Sequence, residues 1–454
     1  MNVGCIESYP MRIVFSKTTK AIAVVASLSS MSLPAWAQSL EEAVAHTLDT
    51  NPEIRVVFNR FKARQEQVAQ ARGGYLPSLD VDAGVGPEYN NTPGFRATGE
   101  DGVNETRQEF GISLRQMLFD GFETSYNVDR TTAETEAEQY SLLAEAENKA
   151  LQVSEVYLQV LEAQQLFELS ERNLKTHLEI HKQIRQRTES GLGSASDLSQ
   201  INARVALARS NLIAARNNQV DAETSFFRVV GQRAQALVQP VADQTMLPES
   251  EEAAIIQGVE FNPTLLSARK DIDAAHAQHD GSRSNFYPEF TFEVQGRSDN
   301  DIDGIEGYNE QLAAMIRMRY NLFNGGRDSA RVRETAYQIN EAKEVNDRAY
   351  RQLEEGIGLS WSAYEFIAEQ MTYLKQHVEA AFATREAYKK QFKLGKRSLL
   401  DLLDTENELF EARRSFVVAE TEFVISQYRL LNASGQLLSS LRVQAPPKWQ
   451  LGAK

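Results

Sequence analysis

The sequence predicts a mainly α-helical protein with a small β part, built as one half written twice. Three observations carry that fold class. Landmarks of residues 50–231 return in residues 261–435 at fixed offsets. Each half contains a stretch without glycine or proline that is far longer than an ordinary globular helix. Each half also holds two short segments that alternate apolar and polar residues, the pattern of strands with one wet face.

The chain begins with a targeting pattern. Arg12, Lys17 and Lys20 precede an apolar stretch from Ala21 to Leu33, and Ala35-Trp36-Ala37 has the small-x-small form expected before a cleavage site. Residues 1–37 therefore read as a secretory signal peptide, with Met11 as an alternative start. The only cysteine, Cys5, would leave with it, so the mature chain makes no disulfide. The chain of 454 residues carries a formal charge of −15, which repels nucleic acid and favours cations or basic partners. Beyond the leader no run of 18 apolar residues occurs, so a membrane crossing would have to be made by strands.

The first half is assigned to residues 38–240 and the second to 241–441, with 442–454 a C-terminal tail. "TNPEIRVV" from Thr50 answers "FNPTLLSA" from Phe261, which places Asn51-Pro52 on Asn262-Pro263 at an offset of 211. Tyr75 to Leu79 answers Phe286 to Phe290 at the same offset. From "LFDG" at Leu118 and "LFNG" at Leu322 onward the offset is 204, and it persists through Gly191 and Gly395, Asp197 and Asp401, and Gly231 and Gly435. Agreement at this many punctuating positions marks a tandem duplication.

Each half predicts the same order: helix, two strands, a very long helix, a glycine turn and a helix running back. Residues 122–190 lack Gly and Pro, enough for a helix of about 100 Å. Val153, Val156, Val160 and Leu161 recur at helical spacing, and residues 194–230 return without a breaker, so an antiparallel coiled-coil hairpin is expected. Gly356 and Gly358 suggest a bend in the second outgoing helix.

The strands carry the functional information. Leu79, Val81, Ala83 and Val85 alternate with Asp80, Asp82 and Gly84, and Phe110, Ile112 and Leu114 with Gly111, Ser113 and Arg115. In the second half Phe290, Phe292 and Val294 alternate with Thr291, Glu293 and Gln295, and Leu312, Ala314, Ile316 and Met318 with Ala313, Met315, Arg317 and Arg319. One apolar and one charged face at this length fits a strand crossing a membrane, with Asp80, Asp82, Arg115, Glu293, Arg317 and Arg319 lining a lumen. Four strands cannot close a barrel and open edges are not tolerated in lipid, so two or three copies must complete it.

These features together resemble the TolC-type outer-membrane factors, over essentially the whole mature chain. The resemblance rests on the duplicated plan, the "NP" openings, the "YLP" and "FYP" strand starts, the "LFDG" and "LFNG" exits, and the "LGKRSLLDLLDTE" turn. It implies a homotrimer in which four strands per chain build a twelve-stranded outer-membrane β-barrel. That barrel would continue as an α-barrel of coiled-coil hairpins across the periplasm. The resemblance also implies docking to a periplasmic adaptor protein and an inner-membrane ABC transporter or other pump. Asp401 and Asp404 match the aspartates that constrict the pore in this family, where crowded carboxylates would raise one another's pKa. Arg397, with Ser196 and Asp197, matches a latch between the two turns. Phe392 departs from the family's tyrosine there and cannot donate a hydroxyl hydrogen bond. Gly191, Leu192, Gly193, Leu394 and Gly395 are the expected adaptor contacts. Type I protein secretion, including that of large adhesins, fits the whole sequence better than drug efflux; a coiled-coil scaffold without a pore is the more distant alternative.

Other motifs lead elsewhere or nowhere. "DNDIDGIEGYNE" from Asp299 to Glu310 follows a calcium-loop spacing, but it lies between two strands with Glu306 at an aliphatic position, so a solvated hairpin loop is expected. His177 and His181 are four apart, yet no third ligand accompanies them, and both read as solvent-facing residues of the coiled coil. No metal, cofactor or nucleophile–base constellation is expected, so the chain does not read as an enzyme.

Overall fold

The computed structural model describes residues 38–99 and 102–451; the signal-peptide assignment lies outside them. The first half runs α1 (Leu40–Thr50), α2 (Pro52–Gly73), β1 (Ser78–Asn90), α3 (Pro93–Thr98), β2 (Val103–Phe119), α4 (Glu123–Glu189) and α5 (Ala195–Val230). The second half repeats it as α6 (Glu251–Phe261), α7 (Pro263–Gly281), β3 (Glu289–Ile302), β4 (Ile305–Arg319), α8 (Arg327–Lys393) and α9 (Leu399–Ala433), followed by a short α10 (Leu437–Ser440). α4 and α8 are each 67 residues long, and α8 runs unbroken through Gly356 and Gly358.

The "NP" motifs explain how each half closes on itself. Asn51 caps α2 by accepting the Glu53 amide on its side-chain oxygen, while Pro52 occupies the first helical position, where no donor is needed. Its side-chain amide donates to the Val229 carbonyl at the end of α5, 3.1 Å away. Asn262 repeats both contacts, capping α7 and donating to the Ala433 carbonyl at 3.0 Å. One asparagine thus satisfies a helix start and a helix end, and ties the outer arm of each half to its returning helix.

Across the helical part the order is α5, α4, α9, α8: α4 packs on α5 and α9, and α8 packs on α9. Two regions hold these helices together. Near the middle, Leu40, Val44, Ile54 and Phe61 meet Leu142, Val153 and Tyr157 of α4, and Phe226, Tyr428, Leu437 and Trp449 complete the cluster. Tyr157 donates to the Gln38 carbonyl and accepts the Val238 amide at 2.8 Å, so its buried hydroxyl is satisfied. The segment after residue 441 joins this core: Trp449 is buried, its carbonyl accepts from Gln139, and Lys448 pairs with Asp49. At the far end, Ile180, Ile184, Ile201 and Val205 of the first hairpin pack on Phe392, Leu399, Leu402 and Leu403 of the second.

The four strands form one antiparallel sheet in the order β1-β2-β3-β4. β1 and β4 are its edges, and each has one side without a strand neighbour. Among the described residues no helix is long and apolar enough to cross a membrane.

Candidate functional site

The sheet sorts its side chains as the alternation requires. Opposed residues of antiparallel neighbours share a face, and the register sets Asp80 opposite Ser113, Asp82 opposite Gly111, Arg115 opposite Glu293, and Thr291 opposite Arg317. Asp80, Asp82, Arg115, Glu293, Arg317 and Arg319 therefore lie on one face. Leu79, Leu114, Val294 and Ala314 form a rung of the other, next to Val81, Ile112 and Leu312.

The polar face is wired by ion pairs. Glu293 accepts from Arg115 at 3.0 Å and from Arg317 at 2.9 Å, which bridges β2, β3 and β4. Higher up, Arg297 pairs with Asp299 and Glu109, and Arg107 with Glu88, Glu109 and Asp303. This upper ladder was not anticipated from sequence, although Glu109, Arg297 and Asp299 continue the same alternation. Asp82 lies over Gly111, where an added Cβ would collide with its carboxylate.

The calcium-like segment is a hairpin turn. Asp303 and Gly304, both with positive φ, link Ile302 to its partner Ile305 in the geometry of a type I′ turn. Asp299 is engaged by Arg297, Asp301 accepts the Gly307 amide, and Asp303 pairs with Arg107, so the carboxylates serve the fold as protein partners.

At the opposite end of the molecule the two hairpin tips are built alike. α4 ends with Gly191 in the left-handed conformation, the Leu192 amide donating to the Arg187 carbonyl and the Gly191 amide to Thr188. α8 ends identically at Gly395, with Lys396 donating to Gln391 and Gly395 to Phe392. This six-to-one and five-to-two pattern satisfies the last carbonyls, and glycine suits the positive φ. Leu192 and Leu394 project from the tips, 84% and 71% exposed. A Cβ on Gly193 would stand 2.8 Å from the Thr188 amide nitrogen, so a side chain there would crowd the turn.

The opening of α9 resolves the "SLLDLLD" pattern. Leu399, Leu402 and Leu403 are buried in the tip core, while Asp401 and Asp404 point away from it. Ser398 and Asp401 form a reciprocal capping box: the Asp401 amide donates to Ser398 Oγ at 3.2 Å, and Asp401 Oδ2 accepts from the Ser398 amide and hydroxyl. These bonds, helped by Arg397 at 4.0 Å, hold the Asp401 carboxyl below the usual carboxylate range. Asp404 accepts from Arg204 of α5 at 2.9 Å, a bond between the two hairpins.

The expected latch residues do not meet within one chain. Arg397 stacks on Tyr388, 4.2 Å from the ring centre, and donates to Gln391. Ser196 is bonded to Ser194, and among the described residues Asp197 makes no salt bridge. Phe392 is buried in the tip core beneath Arg187, so its ring acts in packing. His177 also departs from the expected solvent exposure. It is buried on the α5 side of α4, and burial, then the nearby Arg204, lower its pKa. The bond between the hairpins nearest the tips, Arg204 to Asp404, had no sequence signal because its partners lie 200 residues apart.

Comparison with known proteins agrees with this architecture. The outer membrane efflux protein family matches residues 43–232 and 257–436, one block in each half. The outer membrane efflux protein BepC of Brucella suis is 25% identical over 93% of this chain and 92% of its own length. The alkaline protease secretion protein AprF of Pseudomonas aeruginosa is 22% identical over 89% of this chain and 85% of its own. Among solved structures, the Campylobacter jejuni CmeC outer membrane channel superposes with a TM-score of 0.77 at 15% identity, covering 88% of this chain and 86% of that one. The fold is that of outer-membrane channels with a long periplasmic helical barrel, and with both halves matched the chain belongs to the outer membrane efflux protein family, the TolC-type channels of Gram-negative bacteria.

Proposed function

We propose that this chain forms, as a homotrimer, the outer-membrane channel of a tripartite export machine. The observation that carries the reading is the open four-stranded sheet, apolar on one face and ion-paired on the other, with both edges unpaired. Three copies close it as twelve strands, the apolar face meeting lipid and Asp80, Asp82, Arg115, Glu293, Arg317 and Arg319 facing the lumen. The helical flanks support contact between copies. Ile213 and Val220 on α5, and Tyr337, Leu359 and Phe366 on α8, are exposed apolar residues on the two outer helices, where neighbouring copies would meet.

Asp401 and Asp404 then ring the periplasmic opening, six carboxylates in three subunits, and act as a cation-binding constriction. Within each subunit Arg204 restrains Asp404. Ser196, Asp197 and Arg397 contribute contacts to the neighbouring subunit. The tips, with Leu192, Leu394 and the glycines Gly191, Gly193 and Gly395, receive the adaptor protein, which links the channel to an inner-membrane ABC transporter or other pump. The cargo reading is type I protein secretion, which the likeness to a protease secretion protein supports; the likeness to an efflux protein supports small-molecule efflux as the second reading.

Planar-bilayer conductance tests this. The mature protein should give a small, cation-preferring conductance that divalent cations block, and Asp401→Ala with Asp404→Ala should raise the conductance and remove the block. Unchanged conductance and block in the double variant would overturn the gate assignment, and a folded protein that conducts nothing would overturn the channel.

A further inference from the structure

The two β-hairpins pair in one register. Ser78 faces Arg115, and the sequence offsets of 211 and 204 convert that pair into Glu289 and Arg319, which are observed partners. Every rung follows, through to Tyr89 with Asn104, which becomes Asn300 with Tyr308. β1 is thus the equivalent of β3, and β2 of β4. The seam between β2 and β3 joins the second strand of one repeat to the first strand of the next. In a closed ring, the only other seam of that kind joins β4 to β1 of another copy.

From this symmetry we infer that β4 of one subunit pairs with β1 of the next in the register of the β2–β3 seam, which places Arg319 opposite Asp82 of the neighbouring subunit as an ion pair. The template is the Arg115–Glu293 rung, a bond of 3.0 Å. Translating the rest of that seam sets Met318 beside Ala83, Ile316 beside Val85 and Leu312 beside Tyr89 on the apolar face. A slip of one residue would put these apolar side chains in the lumen. Both proposed partners are under-used in their own chain. Among the described residues Asp82 forms no salt bridge, and Arg319, 70% exposed, reaches only Glu289 at 3.6 Å.

The edge strands show what is missing. β1 pairs with β2 only as far as Arg115; Gln116, Met117 and Phe119 remain strand because β3 holds them. Phe119 then packs against Phe122, Tyr287 and Phe290. β4 lacks that second neighbour and ends at Arg319, leaving the equivalent Leu322 and Phe323 85% and 84% exposed. The translated seam supplies residues 320–323 with a partner strand, and sets Phe323 against Leu79 of the next copy.

This inference rests on the trimeric-channel reading, and cross-linking separates the two. The chain with Cys5→Ser, Asp82→Cys and Arg319→Cys should form a covalent ring of subunits that reductant returns to monomer, because opposed Cα atoms lie within disulfide reach. Ser78→Cys with Arg319→Cys should not link, since four residues along a strand is about 13 Å. Linking through Asp80→Cys or Gly84→Cys in place of Asp82→Cys would overturn the register and leave the oligomer standing. The register is overturned equally if native mass spectrometry finds an oligomer that none of these pairs links. A monomer by native mass spectrometry in detergent would overturn the assembly itself. As a second readout, Arg319→Asp should lower the temperature at which the oligomer separates, and adding Asp82→Arg should restore it; failure to restore would count against the pair.

Discussion

At the first hairpin tip Ser194 caps α5 through the Ser196 amide, and Asp197 stands outside any salt bridge among the described residues. At the second, Ser398 and Asp401 close a reciprocal box, Arg397 lies on Tyr388, and Asp404 reaches across to Arg204. The glycine turns that precede these helices are closed by the same pair of backbone bonds. Duplication has therefore kept the geometry that reverses the chain and let the charges diverge. Turn geometry is fixed by backbone bonding and one glycine, whereas the side chains that follow are free to take up a task.

The long helices diverge in the same way. α4 lies inside, touching α1, α2, α5, α7 and α9, and buries residues such as Leu142, Val153 and Tyr157. α8 lies on a flank, and much of its apolar surface is open. Glu147 of α4 shows how far apart equivalent positions have moved. It is buried and accepts the amides of Leu437 and Leu438, whereas its counterpart Arg351 is exposed. Burial pushes the Glu147 carboxyl up to about 7 against the opposing pull of those two amides.

The largest expected contrast between the helices comes from truncating each. Leu142→Ala opens a cavity in the central core and should lower stability to urea by about 2–5 kcal/mol. Leu359→Ala on the α8 flank should change it by less than about 0.5 kcal/mol, with its effect confined to oligomer separation. Equal losses at the two sites would mean that α8 is no flank.

Glu147 gives the next contrast, through pH. Its folded-state pKa is raised, so the folded chain holds a proton that the unfolded chain releases. Its contribution is full below the ordinary carboxylate pKa and is lost as pH rises through about 7. The shift corresponds to roughly 3 kcal/mol. Urea midpoints should accordingly fall between about pH 4.5 and 7, and Glu147→Gln should flatten that slope while Arg351→Gln leaves it intact.

Smaller effects separate the tips. Ser398→Ala removes one side of the capping box and should cost about 1 kcal/mol. It should also raise the Asp401 pKa toward the ordinary range, readable by NMR titration, because the Ser398 bonds are the main cause of its depression. Asp401 contributes stability at neutral pH that is lost on acidification through its lowered pKa, so the Ser398→Ala variant should show less of that acid-dependent loss. Arg204→Ala should change stability by no more than about 1 kcal/mol for a partly exposed pair, yet it frees Asp404 and should alter closed-state conductance. If that conductance matches the wild type, the bond between the hairpins does not restrain the gate.

Much of this protein was determined by sequence alone. The duplication, the two long helices, the glycine turns and the alternating strands are local or periodic signals. Periods of 3.6 and 2, and breakers at fixed spacing, survive in a linear string because each expresses the backbone conformation of its own segment. The shared face of Asp80, Asp82, Arg115, Glu293, Arg317 and Arg319 was legible for the same reason. Tertiary structure decided what depends on meetings between distant residues. It buried Phe392 and His177, joined the hairpins near their tips through Arg204 and Asp404, drew the segment around Trp449 into the core, and extended the ion-pair ladder of the polar face to Arg297 and Arg107. It also made one repeat the inner helix and the other the flank. The duplicated pattern is nearly symmetric and cannot say which copy faces inward; packing against the first helices and the C-terminal segment makes that choice.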